Sequence, residues 1–127
     1  MITNKFVYSP AIIWIIISTV LLTIPGSSIP KEDWLDKLWI DKWVHIGMFA
    51  IMVFLWCRAF SKKYIESGKL KTIFYGFATL CFAYGVGMEF VQKYFIPNRS
   101  FDLGDIAADA LGCVVGLIYS MSRYKKN

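Results

Sequence analysis

A single histidine and three cysteines are the whole supply of soft ligands in this 127-residue chain. With only His45, no two-histidine metal motif can form. Cys57, Cys81 and Cys113 show no metal-ligand spacing. All three fall inside apolar segments, where a thiol behaves as a small hydrophobe, so neither a disulfide nor a redox role is expected. There is no glycine-rich phosphate loop, internal repeat or low-complexity tract. Charge is sparse at 18% of residues, and the net charge of +5 is distributed between apolar segments rather than gathered on one surface. That distribution argues against a nucleic-acid partner.

What the chain has in abundance is hydrocarbon. Hydrophobic residues make up 57% and aromatics 17%, and the mean hydropathy is +0.50. Four apolar runs stand out: Phe6–Ile24, Trp43–Phe60, Thr72–Gln92 and Leu103–Met121. Each approaches the roughly 20 residues that a helix needs to cross a bilayer. The expected fold is an all-α membrane protein, a four-transmembrane-helix bundle forming one domain over residues 1–127. Lys5 and the small residues Gly26 and Ser28 give the first run some likeness to a signal peptide. Its length, and a Pro25–Ser28 segment that reads as a loop, favour an uncleaved anchor helix.

Orientation follows from the basic residues of the short loops. Nine of the 14 fall on one side: Lys5, then Arg58, Lys62, Lys63, Lys69 and Lys71, then Arg123, Lys125 and Lys126. The other five are Lys31, Lys37, Lys42, Lys93 and Arg99. Both termini are therefore expected in the cytoplasm, with two loops outside. Acidic residues divide the opposite way, Glu66 alone lying inside. Trp34, Trp39 and Trp43 suit the outer interface, and the loop Pro25–Lys42 is long enough for a short interfacial helix.

Ionisable groups inside such spans are costly and tend to mark a site. Spacings of three and four residues share a helical face. The second span carries Asp41, His45, Met48 and Met52 on one stripe; the third carries Ala78, Cys81, Gly85, Glu89 and Gln92; the fourth carries Asp102, Asp105, Asp109, Gly112 and Gly116. Given the directions of travel, every polar end lies in the outer leaflet. The small residues below, including Gly112-x3-Gly116, permit close helix contact.

These residues suggest an outward-facing polar cup. Glu89, Asp105 and His45 are the candidates for acid–base work. Asp41, Lys42, Gln92, Arg99, Asp102 and Asp109 are the candidates for holding a ligand. Lys42, His45 and Arg99 would hold a phosphate or carboxylate, and Arg99 is expected to bridge Glu89 or Asp102 through its planar fork. Asp102 is equally well placed to cap the fourth helix. His45 with Asp41, Glu89, Asp105 and Asp109 is conceivable as a mixed nitrogen–oxygen metal site, but one histidine is thin for zinc, so no metal or other cofactor is assigned. A non-catalytic structural or accessory subunit, its polar stripes satisfying one another or a partner helix, is the alternative.

The linked pattern Asp41-Lys42-x2-His45-x3-Phe49, Glu89-x2-Gln92-x6-Arg99-x2-Asp102-x2-Asp105 and x3-Asp109-x2-Gly112-x3-Gly116 resembles the VanZ-like family of small bacterial membrane proteins. The likeness runs from the second span to the fourth. Asp109 departs from it, since Asn is the expected residue there. The resemblance implies a multi-pass protein of the bacterial cytoplasmic membrane and cell envelope. It also implies a link to glycopeptide resistance, teicoplanin above all. The function expected is binding or modification of an amphiphile's headgroup, that of a lipid, a lipid-linked cell-wall intermediate or a lipoglycopeptide. The expected partner is that membrane ligand, with a homo-oligomer left open.

Overall fold

The computed structural model describes residues 5–25, 39–64 and 68–124. A 3₁₀ turn at Lys5–Tyr8 leads into α1 (Ser9–Leu22), followed by α2 (Ile40–Tyr64), α3 (Leu70–Phe95) and α4 (Leu103–Tyr124). No strand occurs among the described residues. The interfacial helix expected between Pro25 and Lys42 falls, over residues 26–38, outside them.

Local chemistry explains the boundaries. Pro10 stands in the first turn of α1, where its missing N–H costs nothing. Pro97 stops α3 by forcing Ile96 into an extended conformation, φ −108° and ψ 120°. Asn98 then turns the chain with φ 59°, a left-handed conformation that asparagine tolerates. Helices α2 to α4 overrun the apolar segments by a turn or less, because hydropathy marks the hydrocarbon slab while helical hydrogen bonding continues into Lys62, Lys63 and Lys93.

Among the described residues, three helices are long and apolar enough to cross a membrane, namely α2, α3 and α4, and Phe6–Leu22 forms a shorter apolar helix. Leu111, Val114, Val115 and Ile118 of α4 are exposed, whereas His45, Glu89, Gln92 and Asp109 are buried. Apolar groups outside and ionisable groups inside are the arrangement a bilayer favours.

The most extensive helix contact is α2 against α4. Gly112 and Gly116 set it. A Cβ on Gly112 would lie 2.5 Å from the Ile46 carbonyl oxygen, and one on Gly116 would lie 2.5 Å from that of Ala50. These obstacles are backbone, which cannot step aside. Phe49, Met52, Val53, Cys57 and Phe74 fill the core beside this contact. α1 packs on α2, where the Trp14 indole N–H donates to the Met48 carbonyl at 2.9 Å.

Substitution Gly112→Ala should force α2 and α4 apart and lower stability by about 1–3 kcal/mol. Gly76→Ala meets no atom within 4 Å and should be neutral or slightly stabilising. Thermal unfolding of both variants in one detergent checks the difference.

Candidate functional site

The polar ends of α2, α3 and α4 meet at one end of the bundle. α4 begins with Asp102, whose Oδ1 accepts the Gly104 N–H at 2.7 Å while its carbonyl accepts the Asp105 N–H at 3.1 Å. This is an N-cap, and it satisfies donors that a helix start leaves open. The second oxygen, Oδ2, accepts from Lys42 at 2.6 Å. The capping role and the ion-pair role thus coexist in one carboxylate. The Lys42 ammonium beside it, together with the backbone N–H groups, holds the Asp102 carboxyl below the usual carboxylate range.

Lys42 is the hub. Its Nζ also donates to Asp105 Oδ1 at 2.6 Å and to Asp41 Oδ2 at 2.9 Å. Gly104 leaves the space for its stem, since a Cβ there would come 2.8 Å from Lys42 Cε. The three donors of the ammonium are all engaged. Asp41, Asp102 and Asp105 converge to within 4.8 Å, a spacing that would suit a hard cation. Lys42 already supplies the positive charge at that point. His45, Glu89 and Asp109 are not members of that converging group, so the mixed nitrogen–oxygen set is not assembled among the described residues.

One turn deeper, His45 Nδ1 and Asp109 Oδ1 share a hydrogen bond at 2.7 Å. An ionised Asp109 could only accept, which would put a proton on Nδ1; Nε2 lies 3.8 Å from Asp105 Oδ2. Gly85 of α3 makes room for this pair: a Cβ there would sit 2.8 Å from Asp109 Oδ2 and 2.9 Å from the Phe49 ring. Glu89 is 1% exposed, and its Oε2 accepts the Asp102 backbone N–H at 3.1 Å. The third helix is thereby tied to the start of the fourth.

Two expected members stand apart. Gln92 turns to α1, donating from Nε2 to the Leu22 carbonyl at 2.9 Å. Arg99 forms no ion pair among the described residues; the bridge expected of it is made by Lys42 instead. Lys42 enters on the first turn of α2 beneath the α4 cap and takes up Asp102, whereas Arg99 is half-buried just beyond the Pro97–Asn98 turn. Lys42 is consequently committed to carboxylates and is not free to hold an anion.

Sequence reasoning missed Tyr84, Thr19 and Gly104. The Tyr84 and Thr19 hydroxyls meet at 2.7 Å between α3 and α1, so α1 is more than inert scaffold. Hydroxyl side chains inside the apolar stretches of both helices were the available signal.

With this geometry in hand, comparison with known proteins decides the family. The profile of the VanZ/LLP1 family matches residues 4–123. The chain belongs to the VanZ/LLP1 family. An uncharacterized protein of Schizosaccharomyces pombe is 31% identical over 126 residues, covering 97% of this chain and 67% of the yeast protein. That relative carries the likeness beyond bacteria. No solved structure matches. As a member of the family with three helices fit to span a bilayer, the chain is read as a multi-pass membrane protein.

Two outcomes follow. Lys42→Met should destabilise the protein by about 1–3 kcal/mol, because three carboxylates lose their counter-charge in a partly buried site. Arg99→Met should stay within about 0.5 kcal/mol; unfolding in detergent compares them. The lowered folded-state value of Asp102 adds stability that is complete above the ordinary carboxylate range and disappears as pH falls through that lowered value. Asp102→Asn should remove this component of the acid-side decline, read as unfolding temperature against pH.

Proposed function

We propose that this chain is a four-span membrane protein with both termini in the cytoplasm, whose polar cup receives the headgroup of an amphiphile at the outer leaflet. Phe6–Leu22 supports the fourth span: as a continuous helix it is roughly 25 Å long, close to a hydrocarbon thickness of about 30 Å. Orientation is supported by Arg58, Lys62, Lys63, Lys69 and Lys71, which lie at the ends of α2 and α3 away from the cup.

The observation that carries the reading is the charge balance at the cup. Asp41, Glu89, Asp102, Asp105 and Asp109 outnumber Lys42 and His45, and Lys42 is already bonded to three of the five. With Glu89 and Asp109 buried, the carboxylates that face outward are Asp41, Asp102 and, in part, Asp105, and they favour hydrogen-bond donors over anions. The ligand class is then a headgroup rich in hydroxyl or amine groups, on a lipid, a lipid-linked cell-wall intermediate or a lipoglycopeptide such as teicoplanin, with a contribution to glycopeptide resistance as the physiological consequence. Should the bound group react, His45 is best placed to move a proton, because Asp109 orients its ring and Asp105 faces its other nitrogen.

A second reading is favoured by a specific feature: the ionised groups already satisfy one another, as a structural lock of an accessory subunit would. The two readings part in one experiment. Full-length protein in lipid nanodiscs is titrated with teicoplanin, and co-purified lipid is followed by native mass spectrometry. Glu89→Gln, Asp105→Asn and Asp109→Asn are compared with the natural protein. The headgroup reading expects roughly ten-fold weaker retention for each, the cost of one charge-assisted hydrogen bond. Unchanged retention in all three, with lowered unfolding temperature, would leave only the lock.

A further inference from the structure

Among the described residues, the bundle is open between α1 and α3 below the cup. α1 rests on α2, and the backbones of α1 and α3 scarcely approach each other. A cavity of about 250 Å³ occupies the gap, lined by Ile15, Met52, Trp56, Phe77, Leu80 and Tyr84. A second, of about 360 Å³, runs along α1 past Thr19 and Thr23. Ile15 and Tyr84 border both, so the two lie side by side and the first is the crevice that follows α3. From Phe77 to Tyr84 it follows α3 for about 10 Å, and Glu89 stands about 7 Å further along the same helix. Its walls are mostly apolar, with the Trp56 indole and Cys81 among them, and the hydroxyls of Thr19, Thr23 and Tyr84 lie toward the cup.

The geometry points to this crevice as the seat of one acyl chain of a membrane lipid, lying along α3 from Phe77 to Tyr84. The inference goes beyond the headgroup reading, since the Gln92–Leu22 bond stands between the crevice and the cup. Three features favour this occupant. The crevice opens sideways between apolar helices, so what reaches it in a bilayer is hydrocarbon, and an empty gap would forfeit dispersion contacts along its walls. Water finds few partners there, because Thr19 donates to the Ile15 carbonyl at 2.8 Å and therefore accepts from Tyr84. A helix from a partner protein, about 10 Å across, cannot enter, because the Thr19–Tyr84 bond spans the gap and the Gln92 bond to Leu22 closes it above.

The test uses full-length protein in vesicles of phosphatidylglycerol and phosphatidylethanolamine, doped with a phosphatidylglycerol that carries a diazirine in its acyl chain. After illumination, adducts are mapped by peptide mass spectrometry. Leu80 is 66% exposed and Leu111, on the opposite lipid-facing surface, 50%, so mere lipid exposure predicts comparable labelling. A seated chain instead concentrates adducts on Ile15, Leu80 and Tyr84. Leu80→Trp fills the crevice and should abolish the enrichment at Ile15 and Tyr84, while Leu111→Trp leaves it intact. Both positions are exposed, and circular dichroism of the inserted variants verifies folding. Even labelling of all apolar faces, or enrichment that survives Leu80→Trp, overturns the proposal. Asp105→Asn separates it from the headgroup reading. Crevice labelling unchanged alongside undiminished lipid retention supports the chain seat and defeats the head site. Lost enrichment in the natural protein with head-site dependence intact does the reverse.

Discussion

How closely α4 can approach α2 decides whether the polar residues meet at all. Gly112 and Gly116 bring one helix backbone against the carbonyls of Ile46 and Ala50. At that separation, Asp109 on α4 reaches His45 on α2 with a 2.7 Å hydrogen bond. With larger residues at the two glycines, the helices would stand further apart and both groups would be left in hydrocarbon without partners, a costly state for either. The glycines lie one and two turns below Asp109 on the same face, so packing and polarity are parts of a single stripe.

Above that contact, the cup is organised by hydrogen bonds that do two jobs at once. Asp102 starts α4 with one oxygen and binds Lys42 with the other. Its backbone N–H meets Glu89, so the turn between α3 and α4 is registered against a buried carboxylate. Few conformations satisfy all of these partners together, which gives this end of the bundle a defined shape. A preformed site loses less entropy on binding than one that must assemble.

Much of this was legible from residue spacing. The period of three to four placed His45, Glu89, Asp105, Asp109, Gly112 and Gly116 on inward faces, and each is inward. Spacing carries phase but not reach. It could not tell that Lys42, whose stem needs the gap at Gly104, would engage three carboxylates, while Arg99 would pair with none of them. Nor could it tell that Gln92, in phase with Glu89, would satisfy a carbonyl of α1. The family pattern has the same blind spot: it places Arg99 beside Asp102 in the chain and is silent on which cation reaches it.

The bond from Gln92 to Leu22 has a mechanical meaning. Leu22 is the last residue of α1, where carbonyls lack a partner within the helix. Swinging α1 away from α3 would strand that carbonyl and the Gln92 amide together in a poorly solvating medium, at about 1–3 kcal/mol for each group. The Thr19–Tyr84 bond lower down adds to the resistance. α1 is thus latched at two heights and behaves as a fixed gatepost rather than a swinging gate. The spacing of α1 from α3 is therefore set by these two bonds rather than by a moving helix.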